Sequence, residues 1–214
     1  TPGRLKVAAT CKHAFGYSVE GGPPEFNDGP EPVPEPVVPP GGRGPDRHHF
    51  NAVLTPQDLA DTYLPPFKRC VQQGRVSQLM CAYNEVDGTP SCTDEALLTG
   101  TARDDWQFNG SWVSDCGALS DVFRTHHTQP NASATVAAAM RAGIDMNCGD
   151  VVSQANVKAA LEAGWVTEGR LRQSLQRLFE IRVRLGEFDF NVFNVLFSMF
   201  SMFCFQCLTS MFSS

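Results

Sequence analysis

Short apolar runs alternate with longer stretches of helical period along most of the chain. Leu5–Cys11 and Val76–Ala82 read as short buried strands, as do Trp112-Val113 and Ile144–Gly149. Between the first two, Thr55 stands as a helix cap with Pro56 at the first helical position. Leu59, Tyr63, Phe67 and Val71 then follow at helical spacing, with Pro65-Pro66 expected to kink or divide that helix. A helical stretch around 94–106 precedes the third strand. Asn131 or Ser133 opens a helix through Ala134–Ala142, closed by Gly143. Two more helices are expected at about 151–163 and 168–185, closed by Gly164 and Gly186. The last carries Leu171, Leu175, Leu178 and Val183 on or near one face and arginines on the other.

This alternation gives four β/α units in series. Parallel strands need crossovers, so the pattern predicts an α/β fold with a parallel sheet. Four units are half of a (β/α)8 TIM-type barrel, which usually takes about 250 residues. A half-barrel would leave strand edges unpaired, so the expectation is the C-terminal half of a barrel whose upstream units are missing. Each strand ends in polar groups: Lys12-His13, Tyr83-Asn84, Asp115 and Asn147-Cys148. A carboxylate such as Asp115, delivered by Trp112-Val113-Ser114 to a strand end, sits where α/β enzymes keep their chemistry, although taken alone it reads more often as a helix cap or satisfied turn residue. Lys12-His13 alone fits either a polar site or a surface turn. His48-His49 would point to opposite faces of a strand, which argues against a shared metal; they read as loop residues, one of them packed. Asp87-Gly88-Thr89-Pro90 is a turn, and Cys81 and Cys92 flank it closely enough for a disulfide if the geometry permits.

Two segments break the pattern. Residues 21–46 hold nine of the fifteen prolines and six glycines, which predicts a solvated insertion rather than a packed element. After Asp189 no charged residue follows, and residues 190–214 contain seven phenylalanines among Ser, Met, Val, Leu and Cys. That length could span a bilayer, but the composition also matches read-through of a pyrimidine-rich intron, which is the preferred reading; the tail is expected to stand outside the fold. The net charge of −6 excludes a strongly basic nucleic-acid or membrane-surface binder. The eight cysteines are too scattered for a zinc site, and no glycine-rich phosphate loop appears, so neither metal nor nucleotide cofactor is implied. Asn109-Gly-Ser and Asn131-Ala-Ser are glycosylation sequons, which fit a secreted protein. No signal peptide is present, and Thr1 is not an initiator.

Five ordered motifs together resemble glycoside hydrolase family 3. They are Lys12-His13; Arg47-His48-His49-Phe50-Asn51-Ala52 with Leu54–Leu59; Met80–Cys92, including Cys81-Ala82-Tyr83-Asn84; Trp112–Ala118, including Ser114-Asp115-Cys116; and Gly143–Gly149. The combination is most similar to the β-xylosidase and α-L-arabinofuranosidase branch of plants and fungi, and covers about 5–20 and 47–189. The resemblance implies a partial N-terminal barrel domain over 1–189 of a retaining exo-β-glycosidase acting on xylo-oligosaccharides or related cell-wall glycans. Asp115 matches the nucleophile. Lys12 and His13 match the pair that bonds sugar hydroxyls, with a cationic donor helping to keep Asp115 ionised. Tyr83 matches the residue packed near nucleophile and sugar, Arg47 is a looser match to a sugar-binding arginine, and Met80 lines the subsite. Cys116 and Cys148, at adjacent strand ends, form a candidate bridge. The family's acid/base glutamate lies in a second domain that nothing after Gly186 resembles. Glu20, Glu85 and Asp145 do not stand at its position, and Lys12–Tyr17 departs from the usual aromatic-first order. This chain is therefore expected to be nearly inactive alone. A non-catalytic carbohydrate-binding fragment is the second reading, and a membrane-anchored or partner-binding protein the third.

Overall fold

A computed structural model describes residues 3–21 and 46–187. The proline-rich insertion from 22 to 45 and the phenylalanine-rich tail lie outside the described residues. Three parallel strands form the central sheet in the order β1 (Thr10–Ala14), β3 (Gln78–Cys81), β6 (Ser111–Ser114). A parallel bridge between Val113 and Met146 adds a fourth position beside β6. The four expected strand positions therefore lie side by side, although the fourth has shrunk to a bridge. A second small sheet, which the periodicity did not reveal, pairs β2 (Asn51–Ala52) with β4 (Glu85–Val86) in parallel. It then pairs β4 with β5 (Thr89–Pro90) as a hairpin. Asp87 and Gly88 form its two-residue turn with φ of 48° and 81°, the left-handed pair that matches the twist of a tight hairpin.

The first strand needs correction. Ordered pairing begins at Thr10, whereas the expected run started at Leu5; Val7 is 69% exposed and Lys6 lies on the surface. Lys12 and His13 accordingly lie within the strand instead of after it. The register runs Thr10 to Gln78 and Cys11 to Leu79, but then Ala14 to Cys81. One extra residue is accommodated between Cys11 and Ala14, so Lys12 and His13 share the slot opposite Met80, as in a β-bulge.

Helices follow each strand. Pro56–Asp58 (α1) is capped by Thr55, whose side chain accepts from the Asp58 N–H. The chain continues through a wide π-turn over Leu59–Tyr63 into α2 (Leu64–Gln72). The π-turn explains how the helix runs on through Pro65 and Pro66: these residues have no N–H to donate, and the wider turn precedes the place where those bonds are missing. A second π-helical stretch, Ala96–Asp105, leads to β6. Asp94 starts it, its carboxylate accepting from Leu97 N–H at 2.9 Å. α3 (Ala118–Arg124), α4 (Ala132–Ala142), α5 (Gln154–Glu162) and α6 (Glu168–Leu185) complete the chain. Asn131 is the cap of α4, and Ser153 and Thr167 cap the last two.

The core lies between the helices and one sheet face. Ala14, Leu79, Cys81 and Trp112 project from the strands into a cluster with Leu98, Ala102, Val136 and Met140. Trp112 is fully buried, and its indole N–H donates to Leu98 O. The other face carries Gln78, Met80 and Val113, alternating as strands require. α6 departs from the expected amphipathic face: Leu175 is 36% exposed, whereas Ser174 and Ile181 are buried. Arg170 and Arg177, two turns apart, point inward to the wholly buried carboxylate of Asp145. A buried acid outcompetes leucine for this face, because an unpaired carboxylate there would be far costlier than an exposed leucine.

Candidate active site

Asp115 is the first residue beyond β6, and its backbone N–H donates to Cys81 O at the end of β3. The chain then turns at Gly117 (φ 83°), which opens α3. This strand–turn–helix junction presents the carboxylate at the C-terminal edge of the parallel sheet. Its Oδ2 lies 3.0 Å from His13 Nε2, and its Oδ1 accepts from the Cys116 N–H at 2.7 Å. Burial alone would raise the pKa. Hydrogen bonds from His13 and the Cys116 N–H, with the Tyr83 hydroxyl beside the group, outweigh it and hold Asp115 below the usual carboxylate value. The group is thus kept ionised.

Tyr83 follows β3, and its hydroxyl donates to Cys116 O at 3.0 Å. Burial and the negative charge of Asp115 push its own ionisation upward, so it remains a neutral donor. The Arg47 guanidinium covers the Tyr83 ring at 4.8 Å from its centre, and Arg47 also reaches Glu20 at 3.8 Å. Tyr17 completes this wall: its hydroxyl donates to Glu20 at 3.0 Å, its ring lies 5.0 Å from that of His13, and burial with Glu20 raises its pKa to about 12.

The structure therefore brings Asp115, His13, Tyr83 and Arg47 together. Lys12 shares the bulge but is exposed, and among the described residues it makes no ion pair with Asp115. Of the Lys12-His13 pair, it is His13 that contacts the carboxylate. Met80 is partly buried on the sheet face opposite the core, paired with Val113. Asn109 and Asn131 are both exposed.

Supporting residues were harder to see in the sequence. His48 is buried, with Nδ1 2.7 Å from Asp121 Oδ2, and its Nε2 accepts from Arg47 Nε at 3.3 Å. It also packs against the Tyr83 ring at 4.7 Å between centres. His49 is the more exposed neighbour, paired with Asp46. Asn84 and Ser91 fix the end of β1: the Asn84 amide donates to Phe15 O, and the Ser91 hydroxyl donates to Ala14 O. Asp121 follows the Asp115 motif by six residues, the one hint the sequence offered of a partner for His48.

Three disulfides tie the sheet to its surroundings, two of them at the end that carries Asp115. Cys116 is joined to Cys148 and Cys81 to Cys92, while Cys11 is joined to Cys70, a pairing that the spacing did not indicate. The first ties the residue after Asp115 to the loop beyond Met146.

The family model described as the glycosyl hydrolase family 3 N terminal domain matches residues 40–181. The chain belongs to this family. Beta-D-xylosidase 3 of Arabidopsis thaliana is 39% identical over 188 residues, covering 88% of this chain and 22% of that protein. A probable exo-1,4-beta-xylosidase of Aspergillus flavus is 36% identical over 191 residues, covering 88% and 22%. Among solved structures, a family 3 exo-beta-xylosidase in complex with a xylobiose aziridine activity-based probe superposes with a TM-score of 0.74 at 30% identity, covering 88% of this chain and 22% of that one. A beta-glucosidase from Listeria innocua in complex with isofagomine gives 0.59 at 26% identity, covering 65% and 19%. This family 3 chain thus spans 22% of the length of the two xylosidase relatives named. Its α/β architecture with a parallel sheet agrees with the TIM-type barrel of the family.

Proposed function

We propose that this chain supplies the nucleophile side of a retaining exo-β-xylosidase site, on a four-unit arc of a (β/α)8 barrel. The observation that carries the proposal is the carboxylate of Asp115, held ionised at a parallel-sheet edge by His13 and the Cys116 N–H, beneath a wall of Tyr83, Tyr17 and Arg47. An Asp115 oxygen forms a bond to the anomeric carbon while the bond from that carbon to the leaving oxygen breaks, giving a glycosyl ester that water hydrolyses. His13, Lys12 and Arg47 donate to sugar hydroxyls, and Tyr83 and Met80 shape the subsite. The proton for the leaving group comes from outside the described residues. Exposed sequons at Asn109 and Asn131, with three disulfides, support maturation in a secretory compartment.

A 2-deoxy-2-fluoro-β-xylosyl donor with an activated leaving group tests the chemistry, because its departure needs no proton donor. One added fluoroxylosyl mass on the peptide containing Asp115 is expected. Sugar binding without any covalent adduct would instead make the chain a binding fragment.

A further inference from the structure

At the opposite end of the strands from Asp115 lies a cavity of about 560 Å3, with Arg103, Arg141, Arg170 and Arg177 in its wall. Beneath it the Asp145 carboxylate accepts from Trp112 N–H at 3.0 Å. That anchor is three residues before Asp115, about 10 Å along a strand. Arg103 Nη2 and Arg177 Nη1 bond the same carboxylate at 2.6 and 3.1 Å, and Arg170 Nη1 lies 3.6 Å away. Three guanidiniums thus share one negative charge. Burial, followed by the charges of Arg177 and Arg170 acting against the pull of Asp145, lowers the Arg103 pKa to about 10, and Arg170 is lowered for similar reasons. Backbone carbonyls of Met140, Gly143 and Ile144 accept further bonds, but they contribute dipoles rather than charge.

Donors remain unused around this cavity. Arg103 Nε is buried and bonds nothing among the described residues. There Arg177 and Arg141 each hydrogen-bond only through Nη1, to Asp145 and Trp165 O respectively. Gly143, at φ 125°, keeps space open beside this cluster: a Cβ there would stand 2.9 Å from Thr99 Oγ1 and 3.5 Å from Arg103 Nε. The two acids in the wall, Asp104 and Glu180, are exposed, so solvent screens them more than it does the buried guanidiniums.

We propose that this cavity binds a dianionic oxyanion of the phosphate or sulfate class, as a free ion or as a monoester. Guanidinium forks suit such oxygens through paired charge-assisted bonds, and a dianion would balance the two positive charges left over around Asp145. The site is independent of the glycosidase reading. Titration calorimetry of the 214-residue chain with inorganic phosphate and with glycerol phosphate, at ionic strength held constant with chloride, tests it. One saturable site is expected, weakened about tenfold by Arg177→Gln, the size of one lost charge-assisted bond. Tighter binding of the ester would indicate a site for phosphorylated metabolites, and equal binding a site for the free ion. Arg141 is exposed and does not touch Asp145, so Arg141→Gln preserves the fold and decides the matter if Arg177→Gln unfolds. No saturable heat beyond the chloride control, or unchanged affinity in Arg141→Gln, would overturn the proposal and leave the arginines as a purely structural clamp on Asp145.

Discussion

His13 and Asp115 form the decisive pair at the residue scale. The bulge brings the imidazole to the carboxylate, and their contact outweighs the desolvation of Asp115. Replacing His13 by Ala removes a bond to a charged group, worth about 1.5–3 kcal/mol when well formed. Labelling of Asp115 by the fluoroxylosyl donor should slow by about tenfold or more, and the acidic limb of its pH profile should move upward as the carboxylate drifts back to its ordinary value. The sign follows from the depressed pKa: the contribution of Asp115 to stability is present above its unfolded value and lost as pH falls through the folded one. Chemical denaturation at stepped acidic pH should therefore show a smaller loss in His13→Ala than in the parent chain. Asp115→Asn should abolish labelling and also lower the melting temperature at neutral pH, because the ionised contacts to His13 and the Cys116 N–H are lost. Asp115, Tyr83 and Arg47 were legible because each belongs to a motif of distinctive order. One packed histidine of the His48-His49 pair was expected too, but its partner Asp121 and the wall residue Tyr17 were not, because a lone aspartate or tyrosine carries no mark in sequence of what it will face in the fold.

Caps and register dominate at the scale of elements. Asn131 accepts from the Ala134 N–H through Oδ1 and is also a sequon asparagine, whose glycan would attach through Nδ2. The two roles use different atoms. Asn131→Ala should cost about 1 kcal/mol through the lost cap. Ser133→Ala should remove the glycan and keep the cap, losing besides only a long 3.4 Å hydrogen bond to Asn156, and comparing melting temperatures of the two variants from a secretory host checks this separation. Helix ends were readable since Thr55, Asn131, Gly143 and Gly186 are direct chemical punctuation. The first strand was placed too early because Leu5–Ala9 is apolar enough to pass for a buried run, yet no described strand pairs with its first half. The inward arginines of α6 were misplaced for a related reason: a helical wheel ranks residues by apolarity and cannot know that Asp145 waits on the other side.

Across the described residues, four strand positions, their helices and three disulfides form one unit, and the edge carrying Asp115 holds two of the three cross-links. The Cys11–Cys70 bond closes a loop of 59 residues, so loop-closure entropy predicts a contribution of about 4 kcal/mol. Cys11→Ser with Cys70→Ser should lower the denaturant midpoint accordingly, and expression under reducing conditions should yield less folded protein. The succession of units, and hence the α/β class, was legible because alternating periods of two and 3.6 are written directly in side-chain polarity. The small β2–β4–β5 sheet was not, since its strands are only two residues long and have no period to detect.

The two residues that share one slot opposite Met80 have an unusual bearing on how this strand tolerates shortening. Removing a residue from the interior of a strand ordinarily turns every later side chain to the wrong face. Between Cys11 and Ala14 the reverse holds: losing either Lys12 or His13 would restore an uninterrupted ladder and return Ala14 to the same partner, Cys81. A deletion scan through residues 10–14, read by soluble yield, should therefore show tolerance at 12 and 13 and failure at the strand's other positions. The sheet would be better formed without the surplus residue, so what retains it is the pair of side chains that it carries.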